Sequence, residues 1–173
     1  MQLFQQQILL ASKSPRRQQL MKEAGFNFEV IKLDVEETHP KGVAKEEIPE
    51  YLAHKKAAAA LFTLQVGQII LAADTVVLID NQILEKPQDE VQAKQMLQRL
   101  SGRTHQVITG VCLLSTQKVA RFSGRSKVEL HPLSEEEINY YVRTYQPFDK
   151  AGAYGIQEWI GICKVKQIEG TYT

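Results

Sequence analysis

Two serines, a lysine and two arginines crowd into Ser12-Lys13-Ser14-Pro15-Arg16-Arg17, directly behind the apolar run Ile8-Leu9-Leu10-Ala11. The run has the length and character of a buried strand. Pro15 suits the first turn of a helix, with Ser14 as its N-cap. Arg16 and Arg17 then stand in a turn that is already electropositive, which makes sense if something strongly anionic binds there. Free backbone N–H groups, two guanidiniums, the Ser12 and Ser14 hydroxyls and Lys13 would converge as a phosphate site does. Taken alone, the stretch also fits a solvated basic turn.

Asp74 is the second candidate. It stands with Thr75 between Ile69–Ala73 and Val76–Ile79, two apolar strand segments. A carboxylate so placed is costly unless it is paired or binds a metal. It reads as a metal ligand or a base where a sheet edge opens into a cleft; the competing reading is a strand-end aspartate capping a turn. Lys56 is the third. It lies on the alanine-rich stretch Pro49–Leu64, with Leu52 and Ala60 four residues to either side, hence on the apolar stripe of that helix. Such a lysine either snorkels outward or points into a site. Its neighbour Lys55 reads as surface. The polar loop Asp34–Gly42, carrying Asp34, Glu36, Glu37 and His39, is either a lip over a cleft or ordinary surface. Gln146–Gln157 (QPFDKAGAYGIQ) has Gly152 and Gly155 at points of close backbone approach.

The elements that must position these residues alternate between strand and helix. The spacing predicts a helix from Pro15 to about Ala24, burying Leu20, Met21 and Ala24 and stopped by Gly25, then a strand from Phe26 through Val30 toward Leu33. Asp80-Asn81-Gln82 reads as a turn before a short strand at Ile83-Leu84. Asp89 with Gln92, and Ser134 with Glu137, read as capping boxes for two further helices. Two long strands, Arg103 to Leu113 and about Ala120 to Leu130, pair between them. Ile156, Ile160, Ile162, Val165 and Ile168 complete the apolar positions. The pattern is α/β with a mixed, partly antiparallel sheet.

Composition narrows the partners. The chain has 173 residues, close to one average domain, with 43% hydrophobic and 24% charged residues. A net charge of +1 gives no global field for nucleic acid, so an anionic partner is small. Cys112 and Cys163 each sit in an apolar stretch, which predicts no disulfide framework and a cytoplasmic protein. No secretory leader and no membrane-spanning run are expected. His39, His54, His105 and His131 lack zinc-like spacing.

The landmarks LASKSPRR (Leu10–Arg17), AADTVV (Ala72–Val77) and DKAGAYGIQ (Asp149–Gln157) resemble the signatures of the Maf family of septum-formation or Maf-like proteins, regarded as nucleoside triphosphate pyrophosphatases. LEKP (Leu84–Pro87), LSGRTHQVITG (Leu100–Gly110) and IEGTY (Ile168–Tyr172) resemble further motifs of that family in the same order. The resemblance implies an elongated α/β fold similar to the inosine-triphosphate pyrophosphatases, with two lobes around a central cleft. It implies cleavage of a nucleoside triphosphate to the monophosphate and pyrophosphate, dependence on Mg²⁺ or Mn²⁺, and a homodimer.

Carried over by motif, the resemblance makes Asp74 the proton acceptor. It makes Ser12, Ser14, Arg16, Arg17, Lys56 and Lys86 substrate-binding, with Asp74 and Glu37 as metal ligands; Glu36 competes with Glu37 for the last role. Arg16, Thr75 and Gln157 match the specificity residues of the type acting on dTTP and UTP, modified pyrimidine nucleotides included. Glu85 and Glu158-Trp159-Ile160 depart from the commoner family pattern. The expected organisation is a single Maf-like domain over 1–173, ending before the family's usual C-terminal segment. A nucleotide-binding regulator of septum formation without turnover is the competing class.

Overall fold

The computed structural model describes residues 6–172. Among them the strands β1 (Gln7–Leu10), β2 (Phe28–Val30), β3 (Gln68–Ile79), β4 (Gln82–Leu84), β5 (Thr104–Leu114), β6 (Val119–Leu130) and β7 (Val165–Glu169) form a seven-stranded sheet. Its order is β2-β1-β3-β5-β6-β7, with β4 paired to β3. β1 runs parallel to both β2 and β3, whereas β3–β4 and β6–β7 are antiparallel, so the sheet is mixed as expected. The helices are α1 (Pro15–Glu23), α2 (Ile48–Ala59), α3 (Glu90–Leu100), α4 (Glu135–Tyr145) and the short α5 (Trp159–Cys163).

The chain divides into two compact units. The first comprises the residues up to Asp74 together with Thr109–Ser123; the second comprises Thr75–Ile108 and the residues from Gly124 on. Strands β3, β5 and β6 each contribute to both.

In the first unit, small side chains set the spacing between helix and sheet. Ala53, Ala57 and Ala60 pack on Leu9, Ala11, Ile70, Ala72, Cys112 and Leu114. The backbone of α2 also seats directly on Gly110. A Cβ there would fall 2.1 Å from the Glu50 nitrogen, closer than any side chain allows. This tight seat brings the first turns of α2 down onto the sheet and sets the depth at which Lys56 emerges.

The second unit has the larger core, in which α3 and α4 bring Ala93, Leu97, Leu100, Ile138, Tyr141 and Val142 against Val77, Ile79, Val128 and Leu130. Ser134 closes the expected capping box with Glu137. Asp89 accepts from the Gln92 amide as expected, but the Gln92 side chain turns to the Gln88 amide instead of that of Asp89.

Several sequence expectations are corrected. β3 is unbroken: Asp74 interrupts the apolar pattern but not the strand, because its side chain finds charged partners. α2 ends at Ala59, and Leu61–Thr63 continue only as a 3₁₀ turn. Ala24 is exposed, and Leu20 and Met21 are half-buried. Ile162 is exposed on α5. Asp80 and Asn81 alone make the hairpin turn, both at positive φ, and Gln82 belongs to β4. The strand after α1 stops at Val30.

One buried polar group predicts acid sensitivity. His105 is 2% exposed, and its Nε2 lies 2.7 Å from the Tyr154 hydroxyl. Among the described residues its Nδ1 makes no hydrogen bond of standard geometry. Burial pushes the His105 pKa down to about 4, against a smaller opposing effect of the Arg103 backbone. The unfolded chain therefore binds this proton first as pH falls. The stabilising contribution is full above the ordinary value near 6.5 and is lost as pH falls toward about 4. It amounts to ~3 kcal/mol at most. Thermal melts between pH 7 and pH 4 are expected to show this loss, and a His105→Phe variant to show a shallower slope.

Candidate active site

The chemistry expected of Asp74 is built from four elements of the first unit. Along β3 alternate side chains face opposite sides. Asp74 therefore shares a face with Ile70 and Ala72, the face on which α2 packs. One turn beyond Ala53, Lys56 reaches over the carboxylate. Its ammonium lies 2.5 Å from the Asp74 carboxylate and 2.7 Å from that of Glu37. The Asp74 and Lys56 side chains are only 11% and 15% exposed, so water screens their attraction little. Lys56 thus points into the site instead of snorkelling outward.

Burial nonetheless dominates at Asp74. It raises the carboxyl above its ordinary value, against the opposing pull of Lys56; Glu37 adds to the rise and Arg17 opposes it.

The basic turn supplies the next layer. The β1 register on β3 ends at Leu71, whose carbonyl accepts from the Ala11 amide at 2.9 Å. Two residues on, the Arg17 guanidinium donates to the Ala73 carbonyl at 2.6 Å. An arginine side chain continues the ladder where the strand has stopped and places its charge beside Asp74. Arg17 is half-buried, and its desolvation lowers its pKa from the usual value; the Asp74 and Glu37 charges oppose that shift.

Arg16 is half-buried one position earlier and makes no ion pair or side-chain hydrogen bond among the described residues. Ser14 occupies the N-cap of α1 in extended conformation without a side-chain capping bond. Its amide donates to the buried Ser12 hydroxyl at 3.2 Å, a turn that shapes the approach to the helix N-terminus. Replacing Arg16 by Ala is therefore expected to lower kcat/KM for the bound anion about tenfold, as loss of one charge-assisted contact does, while the melting temperature barely moves. Parallel losses in both measurements would make Arg16 structural.

Glu37 is held by its loop. Lys55 donates to the Thr38 carbonyl at 3.1 Å and to the Thr38 hydroxyl at 2.9 Å. Lys13 pairs with Asp34 at 2.9 Å. Periodicity alone assigns Lys55 to the surface and gives it no such role. The adjacent lysine pair is the signal for it: one cation enters the site while its neighbour tethers the loop that supplies the site's second carboxylate. Of the two adjacent glutamates, Glu37 is the one that pairs with Lys56.

Ser12, Ser14, Arg16, Arg17, Glu37, Lys56 and Asp74 thus belong to one unit: the first four stand at the start of α1, and Arg17, Glu37 and Lys56 surround Asp74 on β3. Thr75, Lys86 and Gln157 belong to the second unit. Thr75 follows Asp74 on β3, and the alternation turns it to the opposite face, the one Val77 shares. Val77 packs against Gly152, where a Cβ would fall 2.9 Å from it. The Gly152 amide donates to the Glu85 carbonyl at 3.1 Å, beside exposed Lys86. Within this unit the segment ending at exposed Gln157 is therefore fastened both to the Thr75 face of β3 and to the strand end that carries Lys86.

The fold and site define a mixed α/β protein with a basic helix N-terminus set beside a buried, cation-paired carboxylate. The Staphylococcus aureus Ham1 protein, a solved structure, shares the fold: its TM-score is 0.52 at 18% identity, over 72% of this chain and 71% of that one. The chain belongs to the Maf-like protein family, which matches residues 7–173. The dTTP/UTP pyrophosphatase of Bacteroides thetaiotaomicron is 50% identical over 96% of this chain and 86% of its own length. That of Phocaeicola vulgatus is 50% identical over 95% and 86%, and that of Porphyromonas gingivalis 46% identical over 95% and 84%.

Proposed function

We propose that this protein is a nucleoside triphosphate pyrophosphatase that hydrolyses dTTP and UTP to the monophosphate and pyrophosphate. The observation that carries the reading is the convergence of Lys56, Arg17 and Glu37 on buried Asp74, directly behind a basic helix N-terminus. The dTTP/UTP pyrophosphatases to which the chain is similar supply the substrate class.

Asp74 takes the proton of the water that attacks the α-phosphorus. A carboxyl raised by burial suits this duty, because proton transfer is most effective when the base's pKa approaches the working pH. Pyrophosphate leaves with its charge met by Arg16, Arg17 and Lys56, and by the α1 backbone amides and the Ser12–Ser14 turn; Lys86 is assigned to substrate binding by its family motif alone. Gln157, with one donor and one acceptor, suits the polar edge of a pyrimidine. Thr75 orients the nucleoside.

A divalent cation fits the same carboxylates. Asp74 and Glu37 already share one positive charge, and hard oxygen donors are what Mg²⁺ or Mn²⁺ takes. Among the described residues no three His, Cys, Asp or Glu side chains form a complete metal set. Mg²⁺ is commonly held by one or two carboxylates and completed by substrate oxygens and water. Asp74 and Glu37 would hold it, and when bound it would neutralise phosphate charge and lower the pKa of water. The reading includes a cytoplasmic homodimer, which rests on the sequence and the family resemblance alone. No helix among the described residues is long and apolar enough to cross a membrane.

Steady-state rates on a panel of nucleoside triphosphates, with and without Mg²⁺ or Mn²⁺, test the assignment. The highest kcat/KM is expected for dTTP and UTP with metal. Tight binding of these nucleotides without product would favour a regulatory role.

A further inference from the structure

We propose that Glu158 is the positioning residue for base recognition, holding Gln157 in place through Tyr141 and Lys150. The proposal rests on the reading of Gln157 as a specificity residue.

Gln157 is exposed, yet the backbone to either side of it is fastened. On its C-terminal side the Glu158 carboxylate is gripped twice. Tyr141, fully buried on α4, donates its hydroxyl proton to Oε2. Lys150, whose side chain is 10% exposed, pairs with Oε1 at 3.1 Å and with Asp149 at 2.6 Å. On its N-terminal side the Gly155 amide donates to the same Tyr141 hydroxyl at 3.0 Å. The Gly155 carbonyl accepts from the Glu158 amide at 3.1 Å.

Residues 155–158 are thus a closed turn, with the Glu158 carboxylate folded back over Gly155. A Cβ on Gly155 would fall 2.9 Å from the Glu158 Cδ. Two further contacts fix the residue before Gln157. The Ile156 carbonyl accepts from the Tyr172 hydroxyl at 3.1 Å, and α5 seats Gly161 against it, where a Cβ would fall 1.7 Å away.

Stability alone gives little reason for this arrangement. A buried ion pair is a weak stabiliser, because apolar residues of similar size often serve equally well. What directional hydrogen bonds to both carboxylate oxygens provide is one fixed orientation of the turn. The only side chain in that turn facing outward with base-reading chemistry is Gln157. An amide distinguishes a pyrimidine carbonyl from an amino group only when its donor and acceptor ends are held in register, since loosening lets it offer either end. The sequence carried the clue as a departure from the commoner family pattern at Glu158, without indicating its partners.

The test compares Glu158→Gln, Tyr141→Phe, Gln157→Ala and the double variant Gln157→Ala/Glu158→Gln. The readouts are kcat and KM for UTP and CTP, and thermal melting. Glu158→Gln is expected to lower the UTP-over-CTP ratio of kcat/KM about tenfold, chiefly through KM, with little change in kcat. Tyr141→Phe, which removes the same grip from the buried end, should act in the same direction. The double variant should discriminate no worse than Gln157→Ala, because both changes disable one recognition element; a purely structural Glu158 would instead add its loss to that of Gln157. Unchanged discrimination in Glu158→Gln, with discrimination lost in Gln157→Ala, overturns the role of Glu158 and leaves that of Gln157. Unchanged discrimination in Gln157→Ala overturns both.

Discussion

Asp74→Asn is expected to remain folded and to lose about 10³-fold in kcat, the scale of a missing general base. The substitution keeps the shape of the side chain and its ability to accept from Lys56. It also removes a buried charge whose desolvation outweighs the attraction of its neighbours, as the raised pKa shows. The melting temperature should therefore hold or rise while turnover collapses. Circular dichroism with pyrophosphate-release kinetics separates the two effects. A variant releasing pyrophosphate at near-parental rate would remove Asp74 from the chemistry.

Lys56→Met has the second large effect, and here both stability and activity fall. The methionine keeps the apolar stem but leaves Asp74 without its nearest counter-charge, 2.5 Å away. Breaking a buried pair from one side costs about 3 kcal/mol. The cost depends on pH. In the folded protein Asp74 already has a raised pKa, so its contribution to stability is full below the unfolded value near 4 and is lost as pH rises through the folded value. Without Lys56 the folded value moves higher still. Urea unfolding should therefore show the two proteins converging toward pH 4 and separating toward neutrality. Adding Asp74→Asn to the variant should restore much of the loss. kcat/KM should fall about 10²-fold, as for removal of one donor from a charge-stabilising site. A loss of stability that is flat from pH 4 to 8 would mean that Lys56 acts through packing.

The strand-helix order and the basic turn at the start of α1 were legible in the sequence because they rest on local rules. An apolar run, a serine, a proline at the helix start and a glycine at its end act within a few residues of one another. Asp74 and Lys56 were legible as anomalies, charges on faces that periodicity assigns to the core. What periodicity could not supply was their pairing, which depends on Gly110 and the three alanines letting α2 approach the sheet.

The same limit explains the misplaced details. Asp74 was expected to break β3, yet a charge satisfied from above by Lys56 leaves the backbone ladder intact. Lys55 does lie at the surface, but its tether to Thr38 was not legible because that loop has no pattern of its own. The Tyr141–Glu158–Lys150 network joins α4 to a turn whose place is set by Gly152 packing on Val77, a contact no local rule encodes.

The reaction itself is tested most directly by the products of UTP hydrolysis in ¹⁸O-labelled water, read by phosphorus NMR and mass spectrometry. Attack at the α-phosphorus predicts UMP carrying the label and unlabelled pyrophosphate. Labelled inorganic phosphate with UDP would place the attack at the opposite end of the triphosphate and contradict the role of Asp74 and its cations.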